Sequence, residues 1–273
     1  MKSLANEFFL TMEDGARRYW DAHRADFDLI SRGIKDERDV EQQIQIVDQM
    51  IAQGVDAIVI APADSKAIVP VCARARAEGI VVVNIDNKLD DGVLRSKGLR
   101  IPFVGPDNSR GAEAVGRFLA AHLRKGDKVS IIEGIPTALN AIDRTRGFTN
   151  AMTLGGMRIV SVQTGLWEMD KASTVAAAML TEYPDLKAIL CGNDSMALGA
   201  VSAVKAAGRR EVLVVGFDNI SAAHVMLKKG TILATADQHA DLIAVTGIQY
   251  ALQAIRTGVE PPDTETPVDL VTP

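Results

Sequence analysis

Two aspartates stand where ligands meet parallel sheets. Asp86 closes the apolar run IVVVNI and Asp218 closes VLVVGF. In open parallel sheets, ligands bind beyond the carboxyl ends of the strands. A carboxylate there can accept a pair of hydroxyl hydrogens, and an Arg beside it can donate in a fork; such charge-assisted bonds are the strong ones. Paired carboxylates can also do acid–base chemistry, but the chain has none of the usual accompaniments. It carries no G-x-S-x-G elbow, no G-x-x-x-x-G-K-[ST] phosphate loop, and no G-x-G-x-x-G after its early strands. Asn, Asp, Gln and Arg at strand ends describe instead a hydrogen-bonding pocket for a neutral polyhydroxylated ligand, with aromatic rings to cover its C–H faces. The expectation is a binding protein without cofactor, not an enzyme. The competing role for each Asp is to cap the helix that follows. After Asp86 comes NKLDDG, which reads as a turn and not a helix.

The first residues, MKSLANEFFL, spend two of the seven Phe side by side. If Asn6 caps a helix from Glu7, adjacent side chains point about 100° apart. Phe9, Met12, Ala16 and Trp20 then form one core stripe, and Phe8 is turned away from it. Phe9 is expected to anchor the helix and Phe8 to form one jaw of a ligand clamp; both are candidates for contact.

The elements that must hold these residues alternate. AIVIA (57–61), IVVVNI (80–85), KVSIIE (128–133), IVSVQT (159–164), AILC (188–191) and VLVVGF (212–217) read as buried strands. Helical stretches fall at 38–53, 108–124, 140–155, 171–182, 194–207 and 238–257. Asn6, Asn108 and Asp218 are expected at helix starts, and Gly54, Gly79 and Gly208 at helix ends. Residues 57–86 and 188–218 echo each other as strand, Asp-Ser turn (Asp64–Ser65, Asp194–Ser195), Ala-rich helix, Gly, strand and terminal Asp. The Asp-Ser pairs read as turn and cap residues. This alternation predicts an α/β chain of two similar lobes with parallel sheets. If the lobes face each other, both strand-end carboxylates line one cleft.

Composition narrows the class. The 273 residues suffice for two domains, and 47% are hydrophobic, enough for two cores. A net charge of -5 with 4% aromatics argues against a nucleic-acid partner. Cys72 and Cys191 sit in apolar runs and read as small buried hydrophobes. His23, His122, His224 and His239 form no metal-spaced pair, and no run is long enough to span a bilayer.

NEFFLTMEDGA, VDAIVIAPADSKAI, IVVVNID, FVGPDNSRGAEAVG, TRGF, CGNDSMALGAVSAVKAAG, VLVVGFDNI and ATADQ occur in that order. Together they resemble the sugar-binding proteins of bacterial ABC transporters related to ribose-binding protein, over essentially the whole chain. The resemblance implies two doubly wound parallel-sheet lobes joined by a three-crossover hinge, with the ligand cleft between them. It puts the N-terminal lobe at 1–105 plus 238–264 and the C-terminal lobe at 106–237 plus 265–273. It implies a small carbohydrate ligand, a membrane permease as partner, a monomer, and a periplasmic or extracytoplasmic location. Residue by residue it assigns ligand contact to Asn6, Phe8, Phe9, Asp86, Trp167, Asn193, Asp218 and Gln238.

The sequence departs from the ribose pattern in three places. Asn87 follows Asp86 where ribose binders carry Arg. Ile142 replaces the first Arg of an R-x-R-G-x-G-F pattern, leaving Arg144 as donor with Asn140 nearby. Lys2 replaces a small hydroxyl residue. The pattern suits another sugar or a linear polyol at least as well as ribose. Structural roles compete with these assignments: Trp167 as core, Arg144 as a surface residue paired with Asp143 or a neighbour, Asn6 as cap alone, Lys2 as a solvated terminal residue. The alternative function is the effector domain of a lactose-repressor-type regulator, which shares the two-lobe fold. Relatives carry a strand immediately before the NEFF loop, so the natural product is expected to extend upstream of Met1 with that strand and an export signal.

Overall fold

A computed structural model describes residues 1–273. From the N-terminus the chain forms α1 (Glu7–Ala22), α2 (Val40–Ala52), β1 (Ala57–Ile60), α3 (Val69–Ala77), β2 (Val81–Ile85), α4 (Asp91–Ser96) and β3 (Phe103–Pro106). Next come α5 (Asn108–Ala120), β4 (Lys128–Glu133), α6 (Leu139–Gly155), β5 (Arg158–Thr164), α7 (Met169–Glu182), β6 (Leu186–Cys191) and α8 (Asp194–Ala206). The last elements are β7 (Leu213–Val215), α9 (Ser221–Lys228), β8 (Thr235–Asp237), α10 (Ala240–Thr257), β9 (Thr264–Thr266) and β10 (Asp269–Val271). No helix is long and apolar enough to cross a membrane.

The chain divides into two compact units. Unit 1 comprises Met1–Pro106, Thr137–Leu139 and His239–Thr266; unit 2 comprises Asp107–Pro136, Asn140–Gln238 and Pro267–Pro273. Each is built on a parallel sheet.

In unit 1 the strand order is β1-β2-β3-β9, every pair parallel. Successive side chains of a strand point to opposite faces. Ile58 and Ile60 therefore enter a core with Val82, Val69, Cys72 and Ala75 beneath α3. Val59 and Ile85 meet the other face, where α10 lies against the sheet at Gly247. α1 packs on α10. A sheet covered on both faces explains strands that are almost continuously apolar.

In unit 2 the order is β5-β4-β6-β7, again parallel, with β8 and β10 as a separate antiparallel pair. Val129, Ile131, Phe148, Met152, Leu190, Val215 and Phe217 form its core with Val115 and Leu119. The echoed segments are real equivalents: β1-α3-β2 and β6-α8-β7 each run strand, helix, adjacent parallel strand.

Several local expectations change. The cap of α5 is Asp107, whose side chain accepts from the Arg110 amide; Asn108 is already helical. The N-cap position of α9 is Ile220, two residues beyond Asp218, because the helix starts at Ser221. NKLDDG is only partly a turn: Asp90 accepts from the Val93 amide at 2.9 Å and caps the six-residue α4. VLVVGF is strand over its middle only, Leu213–Val215. Trp20 is half-buried at the end of the α1 stripe, its indole donating to the Phe27 carbonyl. Gly54, Gly79 and Gly208 do follow α2, α3 and α8, in left-handed conformations.

Candidate functional site

Asp86 and Asp218 have matching local geometry. Asp86 follows β2 and its amide donates to the Val104 carbonyl at 3.1 Å; Asp218 follows β7 and donates to the Ala236 carbonyl at 2.7 Å. Both have positive φ, 63° and 120°. Left-handed backbone at a residue with a Cβ costs of order 1–3 kcal/mol and persists only where the surroundings over-determine it. Each carboxylate is buried at the end of its strand.

Around Asp86, unit 1 gathers Lys2, Asn6, Phe9 and an acid that sequence reading missed, Glu37. Lys2 is 2% exposed, so it is not a solvated terminal residue. Its Nζ lies 3.2 Å from Glu37 Oε2, 3.8 Å from Asp86 Oδ2 and 5.1 Å from the centre of the Phe9 ring. Asn6 has two duties. Its Oδ1 accepts from the Phe8 amide as the N-cap of α1, and its Nδ2 donates to Glu37 Oε1 at 3.0 Å. Phe8 and Phe9 are both buried and meet edge to face, centroids 5.1 Å apart. The ring under the ammonium is Phe9, the one expected to anchor the helix. Asn87 is drawn into the scaffold: its Nδ2 donates to the Pro62 carbonyl and its Oδ1 accepts from Ser65. Glu37 lies in the charged turn KDERD, which looks solvated; the one signal for it was Lys2, a buried cation that needs a counter-charge.

Unit 2 centres on Arg144. Three residues converge on this buried side chain: Nε donates to Asn108 Oδ1 at 2.8 Å, and Nη1 to the Gly192 carbonyl at 2.9 Å and Asp218 Oδ1 at 3.2 Å. Its guanidinium stacks 3.9 Å from the Phe217 ring and lies 5.6 Å from Trp167. Arg144 is therefore not a surface residue paired with Asp143, which instead meets Arg146 at 2.8 Å. Gln238 Nε2 donates to Asp218 Oδ1 at 2.6 Å, while its buried Oε1 has no hydrogen-bond partner. Asn140 is buried one helical turn before Arg144, on the same face of α6. Asn193 caps α8 through the Met196 amide and reaches the Trp167 carbonyl from Nδ2 at 3.4 Å. Leu166 and Trp167 are both left-handed. They swing the indole over Gly134, where a Cβ would lie 2.1 Å from Trp167 Cζ2.

The Asp-Ser pairs serve as supports. Asp64 accepts from the Lys66 and Ala67 amides. Asp194 is wholly buried and accepts from the Thr235 hydroxyl at 2.7 Å and the Ile220 amide at 3.1 Å. Burial, the largest effect, raises its carboxyl to about 6 against the pull of those donors. Both cysteines are free and buried. Desolvation holds their thiols protonated, pushing Cys72 up to about 12 and raising Cys191 as well. No group of three or more His, Cys, Asp or Glu is placed to hold a metal ion. What each unit presents is a buried carboxylate flanked by a cation, amide side chains and an aromatic face.

Residues 1–258 match the family model of the periplasmic binding protein domain. The chain belongs to the periplasmic binding protein family. This binding protein is 61% identical to the D-ribose/D-allose-binding protein of Pseudomonas aeruginosa, over all of this chain and 87% of that one. Among solved structures, it superposes with a TM-score of 0.98 on an ABC transporter solute-binding protein from Burkholderia multivorans. That protein is 61% identical, is covered over 97% of its length, and holds an unknown ligand assigned as alpha-D-erythrofuranose. A periplasmic solute-binding protein from Actinobacillus succinogenes with bound D-allose gives a TM-score of 0.93 at 34% identity, covering 99% of this chain and 94% of that one. The chain is a solute-binding protein, not an enzyme.

Proposed function

We propose that this chain is the substrate-binding component of a bacterial ABC importer, and that its two half-sites take one small neutral carbohydrate by lobe closure. The observation that carries the reading is the matched pair of buried strand-end carboxylates, Asp86 beside Lys2 and Asp218 beside Arg144. Such groups accept and donate hydroxyl hydrogens, and Phe9 and Trp167 offer apolar faces to a sugar ring. Lys2, Asn6, Phe8, Phe9, Asp86, Asn140, Arg144, Trp167, Asn193, Asp218 and Gln238 would carry the contacts, with Asn87 shaping the loop. The charges of the half-sites are two cations, Lys2 and Arg144, against three acids, Glu37, Asp86 and Asp218. That excess of negative charge disfavours sugar acids. Relatives named for D-ribose and D-allose support a ribo-configured monosaccharide, and they support transport over a repressor effector domain. The same likeness supports an extracytoplasmic protein that delivers its ligand to a membrane permease. A ligand contacting both lobes selects the closed form, because closure alone completes its bonds.

Calorimetry with pentoses, hexoses and their polyols tests the reading, D-allose and D-ribose first. Saturable binding is expected. Asp86→Ala and Asp218→Ala should each weaken it by about 2–3 kcal/mol, roughly 30- to 150-fold. No binding across the panel, or unchanged affinity in both variants, would overturn it.

A further inference from the structure

Glu37 has a role that neither its sequence setting nor its neighbours suggest. In the turn before α2, Asp36 turns outward and pairs with Arg38 at 2.6 Å, whereas Glu37 turns inward and is 7% exposed. Its two oxygens go to two different residues of the unit 1 half-site, Oε2 to Lys2 Nζ at 3.2 Å and Oε1 to Asn6 Nδ2 at 3.0 Å. Lys2 and Asn6 come from the N-terminal loop, so Glu37 ties that loop to the approach to α2 across 31 residues.

We propose that Glu37 is a positioning residue that sets Lys2 and Asn6 as a donor pair for a neutral sugar. The proposal rests on the reading above that this half-site binds sugar. A lysine ammonium is a mobile point charge on a flexible stem with three rotatable donors. Left beside Asp86 alone, it would fold onto that carboxylate and occupy the acceptor a sugar hydroxyl needs. Glu37 holds it 3.8 Å from Asp86, longer than its 3.2 Å contact with Glu37 itself. With Asp86 the same carboxylate leaves the unit 1 half-site net negative, so Lys2 acts as a donor without making the half-site attract anions. It also fixes which way the Asn6 amide points: Oδ1 is already bound to the Phe8 amide, and Nδ2 is held by Glu37.

A double-mutant cycle on D-allose affinity tests this, with Glu37→Gln, Lys2→Met and the double variant, each checked for fold by circular dichroism. Glutamine keeps an acceptor for Asn6 but cannot pair with the ammonium. Glu37→Gln is expected to weaken binding roughly tenfold or more, and Lys2→Met should cost far less in the Glu37→Gln background than in the wild type. Unchanged affinity in Glu37→Gln, or fully additive losses, would overturn the proposal. A second readout needs no ligand. The Asn6 side-chain amide, followed by nitrogen-15 NMR, should exchange slowly in the wild type and rapidly in Glu37→Ala; equal exchange overturns the proposal. If the wild type binds neither D-allose nor D-ribose, the sugar-binding reading fails, while the NMR comparison still decides the role of Glu37.

Discussion

Trp167 shows how much a site residue owes to what is missing beside it. Its ring occupies the space a side chain at position 134 would need. Gly134→Ala should push the indole out of place, weakening ligand binding tenfold or more and shifting the tryptophan emission, with Trp20 as the unchanged second fluorophore. Trp167 itself was legible through resemblance, but its dependence on Gly134 was not, because the two are 33 residues apart and meet only in the folded unit. Arg144 teaches the same lesson. It was read as a ligand donor, with a surface pairing to Asp143 or a neighbour as the competing role; the structure pairs it with Asp218, and the pair is buried. Breaking a buried pair leaves a charge uncompensated, at about 3–5 kcal/mol. Asp218→Ala should therefore lower the stability of the ligand-free protein in urea as well as its affinity.

At the level of elements, the strand-to-helix loops are what present the site, and Asp194 clasps the most important one. It opens α8, yet its carboxylate reaches the Ile220 amide across the loop that carries Asp218 and the Thr235 hydroxyl at the start of β8. Its carboxyl titrates near about 6 in the fold against an ordinary value of 3.8. Between those values the folded state holds a proton that the unfolded state has lost. The Asp194 contribution therefore falls as pH rises through that window and levels off above it, by about 3 kcal/mol in all. Urea unfolding at pH 4 and pH 7 checks this: Asp194→Asn should gain on the wild type by about that amount at pH 7 relative to pH 4. In the sequence Asp194 read as a turn and cap residue. Helices and strands were readable there because apolar periodicity is local. The N-cap of α5 was placed one residue late, on Asn108 instead of Asp107, because adjacent acids and amides compete for the same orphan amides, and α4 with its cap Asp90 was read as a turn.

On the scale of the molecule, the echo between 57–86 and 188–218 became two units with the same strand-helix-strand and the same left-handed Asp at its end. If one ligand serves both, calorimetry should return one D-allose per chain, not two. Saturation at about 100 times Kd should stabilise the fold by about 2.7 kcal/mol, raising Tm by roughly 5–10 °C. That shift should fall to about a third or less in Asp86→Ala and in Asp218→Ala alike. The sequence by itself determined the α/β class, the parallel sheets, the paired strand-end acids and the family, since these rest on local periodicity and on short motifs in fixed order. Only the tertiary structure decided which charges meet: Lys2 with Glu37, Arg144 with Asp218, and Phe9 beneath the ammonium. The physical reason is that burial makes every charge seek a partner, and the partner is chosen by proximity in space, which residues 35 or 74 positions apart acquire only when the chain folds.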